Sequence, residues 1–194
     1  MKHLIIYAHP NKESLNHSIK EKVLEQLNMN NNEVEVRDLY QLGFDPIVTM
    51  DDMNGWYTGQ MSSDVAKEQQ YILWADVITF IYPIWWAGLP AMIKGYIDRV
   101  FSYGFAFKYT QGVQQGLLKG KKAVIINTQG KSLEEYESIG MDKALKVTSD
   151  KCTFEYCGFS VEDHIFFGSA NSADTATVEK WLEEVKNIKS YIGR

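Results

Sequence analysis

Much that would declare a function outright is missing from this sequence. Basic residues do not predominate: Lys+Arg 20 against Asp+Glu 25 leaves a formal charge of −5. The electrostatic footprint of a phosphate-backbone binder is therefore absent, and no nucleic acid partner is expected. No stretch approaches the roughly 18 consecutive apolar residues of a membrane span, so no membrane insertion is expected. The opening run Leu4-Ile5-Ile6-Tyr7-Ala8 is too short for a secretory h-region and stops at His9-Pro10, which makes the cytoplasm the expected compartment. Cysteine occurs only at Cys152 and Cys157, a spacing that fits neither a CxxC redox pair nor half of a zinc site. Both fall in one expected strand, where they do not easily meet in a disulfide, and read as structural thiols. GxGxxG and GxxxxGK(S/T) are both absent, which weighs against a dinucleotide-binding Rossmann fingerprint and a P-loop. No His/Cys/carboxylate cluster has spacing usable for a metal.

The bulk composition is ordinary. Hydrophobic residues at 45% and charged residues at 23% describe a globular chain rather than a disordered one. A length of 194 residues suits one domain, 1–194, with a core on two faces. The unusual feature is an aromatic content of 13%, with Trp 5, Tyr 11 and Phe 9.

Hydrophobic periodicity supplies the order of elements. Leu4 to Ala8 is a continuous apolar run, as expected of a strand buried on both faces. An amphipathic helix starts near Ser14, with Leu15, Ile19, Val23 and Leu27 on one stripe, and breaks at 28–32. Residues 33–37 alternate as a second strand. Residues 39–61 show no period and read as a long lid or contact loop. A helix over 62–75, a strand over 76–82 and a helix opening at Pro90 follow. A second loop covers 102–120. Then come a strand over 122–128, a helix over 133–149, a strand segment over 152–167 that is interrupted at Gly158, and a closing helix. That last helix carries Val178, Trp181, Leu182, Val185, Ile188 and Ile192 on one stripe. Strict β-α alternation with doubly buried strands predicts a doubly wound α/β fold, a parallel sheet with helices on both faces.

Such a sheet binds ligands beyond the carboxyl ends of its strands, which nominates residues 9–16, 83–90 and 127–136. The first loop, His9-Pro10-Asn11-Lys12-Glu13-Ser14-Leu15-Asn16, puts polar groups and free N–H groups ahead of a helix N-terminus, where an anion is favoured. Ser14 also reads as a plain helix cap. The second loop holds Trp85 and Trp86 beside the small residues Ala87 and Gly88. Core packing, a subunit interface and a flat aromatic ligand each explain two adjacent tryptophans there. The third, Asn127-Thr128-Gln129-Gly130 followed by Tyr136, suits hydrogen bonds to a heterocycle.

Two blocks carry a resemblance. Ala8-His9-Pro10-x-x-x-Ser14-Leu15-Asn16 is the first, and Tyr82-Pro83-Ile84-Trp85-Trp86-Ala87-Gly88-Leu89-Pro90-Ala91-x-x-Lys94-Gly95-Tyr96-x-Asp98-Arg99-Val100-Phe101 the second. Together the chain resembles the flavodoxin-like NAD(P)H:quinone oxidoreductases nearly end to end. The bacterial general-stress NAD(P)H oxidoreductases and the ancillary proteins of potassium-efflux systems look most similar. The resemblance implies a flavodoxin-like five-stranded parallel sheet in the order 2-1-3-4-5, and a homodimer. It implies FMN, with FAD as the alternative, and NADH or NADPH as co-substrate. His9, Ser14, Leu15 and Asn16 correspond to phosphate and ribityl contacts. Pro83, Ile84, Trp85, Trp86 and Ala87 correspond to the isoalloxazine wall. Thr128 and Gly130 correspond to contacts on its pyrimidine side, and Tyr136 to the catalytic phenol near O2 and N1. Phe107 and Tyr109 correspond to aromatics that reach the substrate pocket of the partner subunit.

The implied activity is hydride transfer from NAD(P)H through the flavin to a quinone or similar electrophile. A flavodoxin-type electron carrier and a regulatory subunit bound to a membrane transporter are the alternative readings. Two positions depart from the family pattern. Gln129-Gly130 stands where a double glycine is usual, and the histidine that follows the tyrosine elsewhere is missing, with Asp142 nearest in position. The remaining histidines, His3, His17 and His164, read as structural or surface residues.

Overall fold

In the computed structural model, which describes residues 1–188, Leu4 to Tyr7 expose no surface at all. They belong to β1 (Lys2–Tyr7), which pairs in parallel with β2 (Glu33–Asp38) on one side and β3 (Val77–Pro83) on the other. Strands β6 (Lys122–Thr128) and β7 (Ser160–Phe167) complete a parallel sheet in the order β2-β1-β3-β6-β7. Counted within the sheet alone, this is the 2-1-3-4-5 order of the flavodoxin-like arrangement. Side chains alternate between its faces. Ile5, Tyr7, Ile81 and Ile126 pack on one side with α1 (Leu15–Met29) and α7 (Thr175–Lys186). Ile6, Phe80, Tyr82 and Ile125 pack on the other with residues of α3 (Ser63–Trp74) and α4 (Ala91–Val100).

Several expectations need correction. Residues 39–61 are no structureless lid: they contain helix α2 (Met50–Thr58), opened by a capping box between Thr49 and Asp52. The helix escapes a search for periodicity because its buried positions are Asp52 and Gly55, while Met50, Met53 and Tyr57 face outward. Polar bonds hold it down. The Arg99 guanidinium donates to both Asp52 oxygens at 3.0 and 3.1 Å, to Asp64 Oδ2 at 2.7 Å and to the Asp45 carbonyl at 2.8 Å. On the same helix, a side chain at Gly95 would collide with the Pro46 carbonyl, so the segment packs directly on α4.

The second loop, 102–120, contains a hairpin of β4 (Phe107–Thr110) and β5 (Val113–Gly116). Its turn residues Gln111 and Gly112 both have positive φ, 52° and 79°. That is the turn a two-residue hairpin prefers, but glutamine at its first position gives no sequence cue. The helix expected over 133–149 is broken. It consists of α5 (Leu133–Ser138), a left-handed Gly140, α6 (Met141–Lys146) and a π-helical segment over Val147–Glu155. That segment replaces the first part of the strand expected over 152–167, so β7 starts only at Ser160. Cys152 and Cys157 therefore lie on helix and turn rather than on a strand, and both are free thiols. Pro90 is the N-cap of α4 rather than its first-turn residue. Of the closing stripe, Ile188 lies past the end of α7 and Ile192 lies outside the described residues.

Burial works to raise the Asp52 carboxyl, but hydrogen bonds from Arg99 and Thr49 outweigh it and hold the group below its ordinary value. Asp52→Asn keeps the side-chain shape and leaves Asp64 as the guanidinium's one carboxylate partner. The expected loss is about 2 kcal/mol in urea unfolding at neutral pH. Because the folded-state value is depressed, the contribution is complete at neutral pH and is lost as pH falls through that value. The stability gap between wild type and variant should therefore close in acid.

Candidate functional site

The carboxyl ends of β1, β3 and β6 meet around one cavity of about 630 Å³. From the β1–α1 loop it is lined by His9, Asn11, Ser14, Leu15 and Asn16. The loop after β3 supplies Pro83, Ile84, Trp85 and Trp86, and the end of β6 supplies Thr128, Gln129 and Gly130. Ala170 and Asn171, after β7, close the remaining side.

Each wall has a local cause. Ser14 is the N-cap of α1, and its hydroxyl accepts from the His17 N–H at 3.2 Å. The cap aims the positive end of a 15-residue helix into the cavity. Burial pushes the His9 imidazole down from its ordinary value, partly offset by a bond to the Asn11 backbone. His9 Nδ1 lies 3.2 Å from the Asn11 carbonyl oxygen and 3.1 Å from the Asn11 N–H, so the Asn11 backbone holds the ring in place. The ring meets Trp85 edge to face at 5.9 Å.

The loop after β3 is a tight two-residue turn. Trp85 and Gly88 exchange backbone hydrogen bonds at 3.2 and 3.1 Å. Trp86 and Ala87 between them sit at φ 49° and 60°, a region that costs an L-residue roughly 1–2 kcal/mol. The turn lifts Trp86 to full exposure, at 102%. The tryptophan pair is thus not core packing.

Across the cavity, Asn16 Nδ2 donates to Thr128 Oγ1 at 2.7 Å, tying α1 to β6. Its Oδ1 is buried without a partner, as is Oε1 of Gln129. Gln129 Nε2 donates to the carbonyls of Lys131 and Ser132 at 3.3 and 3.5 Å, so the amide cannot flip without setting oxygen against oxygen. A side chain at Gly130 would meet only Asn171, leaving room for a ligand against its backbone. Two orphaned acceptors, an open glycine, a helix N-terminus and an aromatic turn around one space fit a ligand with a planar, N–H-bearing ring and an anionic end. Among the described residues lining the cavity none is Lys or Arg, so the anion would rest on backbone N–H groups, hydroxyl and helix dipole.

The other expected site residues lie elsewhere. Ala87 does not line the cavity but forms its turn. Tyr136 is half-buried and lines a second cavity of about 270 Å³ with Asp142, Lys146 and His164, which shares Gln129 with the first. Phe107 lines a third cavity of about 460 Å³, and Tyr109 bonds through its hydroxyl to that of Tyr156 at 2.9 Å. That bond, with burial second, pushes the Tyr156 phenol up to about 12. Sequence reasoning missed Ala170 and Asn171, which sit in an irregular loop with no motif. Asn127, at the start of the third nominated segment, turns away from the cavity and donates to the Tyr82 carbonyl at 3.0 Å.

Residues 1–188 match a family described as having a flavodoxin-like fold. An uncharacterized NAD(P)H oxidoreductase of Haemophilus influenzae is 38% identical over 185 residues, covering 94% of this chain and 91% of that protein. The NAD(P)H dehydrogenase (quinone) 1 of Cavia porcellus is 32% identical over 209 aligned positions, covering 95% of this chain and 76% of that protein. Among solved structures, the NAD(P)H:quinone oxidoreductase from Methanothermobacter marburgensis superposes with a TM-score of 0.88 at 25% identity. It covers 100% of this chain and 98% of its own.

Ser14→Ala removes the cap of α1 and should cost about 1 kcal/mol in urea unfolding, whereas Ser14→Gly should cost only a few tenths.

Proposed function

The chain belongs to the family with the flavodoxin-like fold, and from that membership we propose that it is an FMN-dependent NAD(P)H:quinone oxidoreductase. The observation that carries this reading is the cavity at the carboxyl edge of the sheet, with an anion-accepting helix end and an aromatic turn on its walls. The relatives named as NAD(P)H oxidoreductase and NAD(P)H dehydrogenase (quinone) support the reaction class. FMN rather than FAD is the reading because the aromatic rings lining the cavity are His9, Trp85 and Trp86. Trp85 and Trp86 belong to the wall assigned to the isoalloxazine and His9 to the phosphate and ribityl side, so no second stacking surface remains for an adenine among the described residues that line the cavity. Bound there, the flavin supplies hydride acceptance from NADH or NADPH and hydride delivery to a quinone-like acceptor.

The protein's own part is binding and electrostatics. Free N–H groups at the start of α1, with Ser14, hold the phosphate, and the His9 ring lies beside it. Pro83 and Ile84 form a rigid apolar floor continuous with β3. Trp85 and Trp86, lifted by the strained turn, shield one face of the ring from water. Gln129 and Asn16 offer their unpartnered oxygens to N–H and O–H donors of the ligand, and the Gly130 backbone lies against the ring edge. Tyr136, on α5 next to Gln129, is the donor to the side of the ring where negative charge accumulates on reduction. In a homodimer, Phe107 and Tyr109 on the hairpin would close the pocket of the neighbouring protomer. Among the described residues no helix is long and apolar enough to cross a membrane.

The purified protein should carry, or take up, one FMN per chain with a flavin absorption spectrum. It should oxidise NADH or NADPH with menadione as acceptor. A colourless protein that neither binds FMN nor oxidises either nicotinamide overturns the reading. Trp86→Ala should weaken FMN binding about tenfold, or about 1.4 kcal/mol. Its melting temperature should not change, because the side chain has no packing to lose. Unchanged FMN affinity would assign Trp86 to a subunit interface instead.

A further inference from the structure

Behind the cavity wall, on the face of the sheet opposite α1, three side chains form a continuous hydrogen-bonded row. Asp150, on the π-helical segment, lies 2.7 Å from Nδ1 of His164 on β7. His164 Nε2 lies 2.8 Å from Asn127 Oδ1 on β6. Asn127 Nδ2 donates to the Tyr82 carbonyl on β3 at 3.0 Å. The row is shielded from water: the side chains of His164 and Asp150 are 3% and 13% exposed, and Asn127 is fully buried.

The direction of each bond follows from one end. A backbone carbonyl only accepts, so the nitrogen of the Asn127 amide faces Tyr82 and the oxygen faces His164. His164 Nε2 therefore donates to Asn127 Oδ1, and Nδ1 faces the Asp150 carboxyl, which holds the ring in place.

The far end of the row matters to the cavity. Tyr82 and Asn127 are register partners on adjacent strands. Beyond that pair the two strands become cavity walls, Pro83 and Ile84 on one side and Thr128 and Gln129 on the other. The Asn127 amide is thus a side-chain clamp between β3 and β6 at the last paired position before the walls begin. Next to it the Ile84 N–H donates to the Thr128 carbonyl at 2.7 Å.

We propose that His164 is a positioning residue of the cofactor cavity. Oriented by Asp150, it fixes the Asn127 amide, which sets the spacing of the two walls between which FMN lies. This rests on the reading of the cavity as an FMN site. Loss of the imidazole would leave the Asn127 oxygen without its donor and slacken the clamp, so FMN affinity falls.

The test is the FMN dissociation constant, read by quenching of flavin fluorescence at neutral pH for wild type, His164→Leu and His164→Gln. Glutamine places an amide N–H near the position of Nε2. His164→Leu should bind FMN about tenfold more weakly. His164→Gln should recover most of that affinity. Melting of the flavin-free proteins separates a general loss of stability from a loss of binding. His164→Leu within about twofold of wild type, or a His164→Gln protein that binds no better than His164→Leu, overturns the proposal. Long-range proton–nitrogen NMR of the flavin-free wild type gives a readout that needs no ligand. Nε2 of His164 should carry a proton, and a bare Nε2 overturns the clamp whatever the variants do. A wild-type protein that fails to bind FMN at any pH would instead overturn the functional reading.

Discussion

A parallel sheet covered on both faces constrains everything else in this molecule. With Leu4 to Tyr7, Phe80 to Tyr82 and Ala123 to Asn127 almost fully buried, neither sheet face can accept a ligand without unpacking a core. Parallel pairing then sends every strand out at the same edge. The edge between β1, β3 and β6 is also where the chain order turns back, because β1 leads outward to β2 while β3 leads on to β6. Helices leave in opposite directions there and a crevice opens without any special loop design. The cavity is a consequence of topology, and the side chains around it only choose what it holds.

Polar groups inside the fold are concentrated where hydrophobic packing alone does not fix geometry. Arg99 bonds Asp52, Asp64 and the Asp45 carbonyl at once. Its work is to pin a segment whose helix turns its apolar residues outward. Arg37 pairs with Glu68, which also accepts from the Tyr96 hydroxyl at 3.3 Å, and so docks α3 on the edge strand β2. Asn16 to Thr128 and Asn127 to Tyr82 act on either side of the cavity. Buried polar contacts of this kind are directional, unlike apolar packing, and a misplaced partner is costly. They are therefore suited to fixing where a wall stands rather than merely that it is buried.

The three central strands were legible in the sequence because they are runs of apolar residues bounded by Pro10, Pro83 or a polar end, and β2 because it alternates. The start of α1 was legible because Ser14 is a recognisable cap ahead of a four-residue stripe. What escaped has a common cause. Helix α2 has its stripe facing solvent and is held by Asp52 and Gly55, so hydrophobic period says nothing. The hairpin turn uses Gln111 where asparagine would have signalled it. The π-helical segment follows a period that a 3.6-residue search does not contain, so Cys152 to Glu155 read as strand. His164 looked ordinary because nothing in a one-dimensional pattern brings Asp150 and Asn127 to its two nitrogens. The cavity residues were nearly all nominated from strand ends, whereas the hairpin aromatics were placed by resemblance alone. The structure sets Tyr136 in a neighbouring space that joins the cavity at Gln129.

The turn at Trp86 and Ala87 bears most directly on why the site is built as it is. Two consecutive L-residues at positive φ cost roughly 2–4 kcal/mol together, a large fraction of the margin by which a domain is stable. An Asn-Gly pair would make the same turn with far less strain. Trp86, wholly exposed, returns nothing to the fold through packing. A conformation that costs this much and stabilises nothing intramolecular has its compensation outside the chain. A flat ring lying between the turn and the Thr128–Gly130 backbone would cover both tryptophans and receive the two orphaned oxygens. Its anionic end would meet the α1 terminus. The three features are unfavourable or unused separately, and one ligand satisfies all of them.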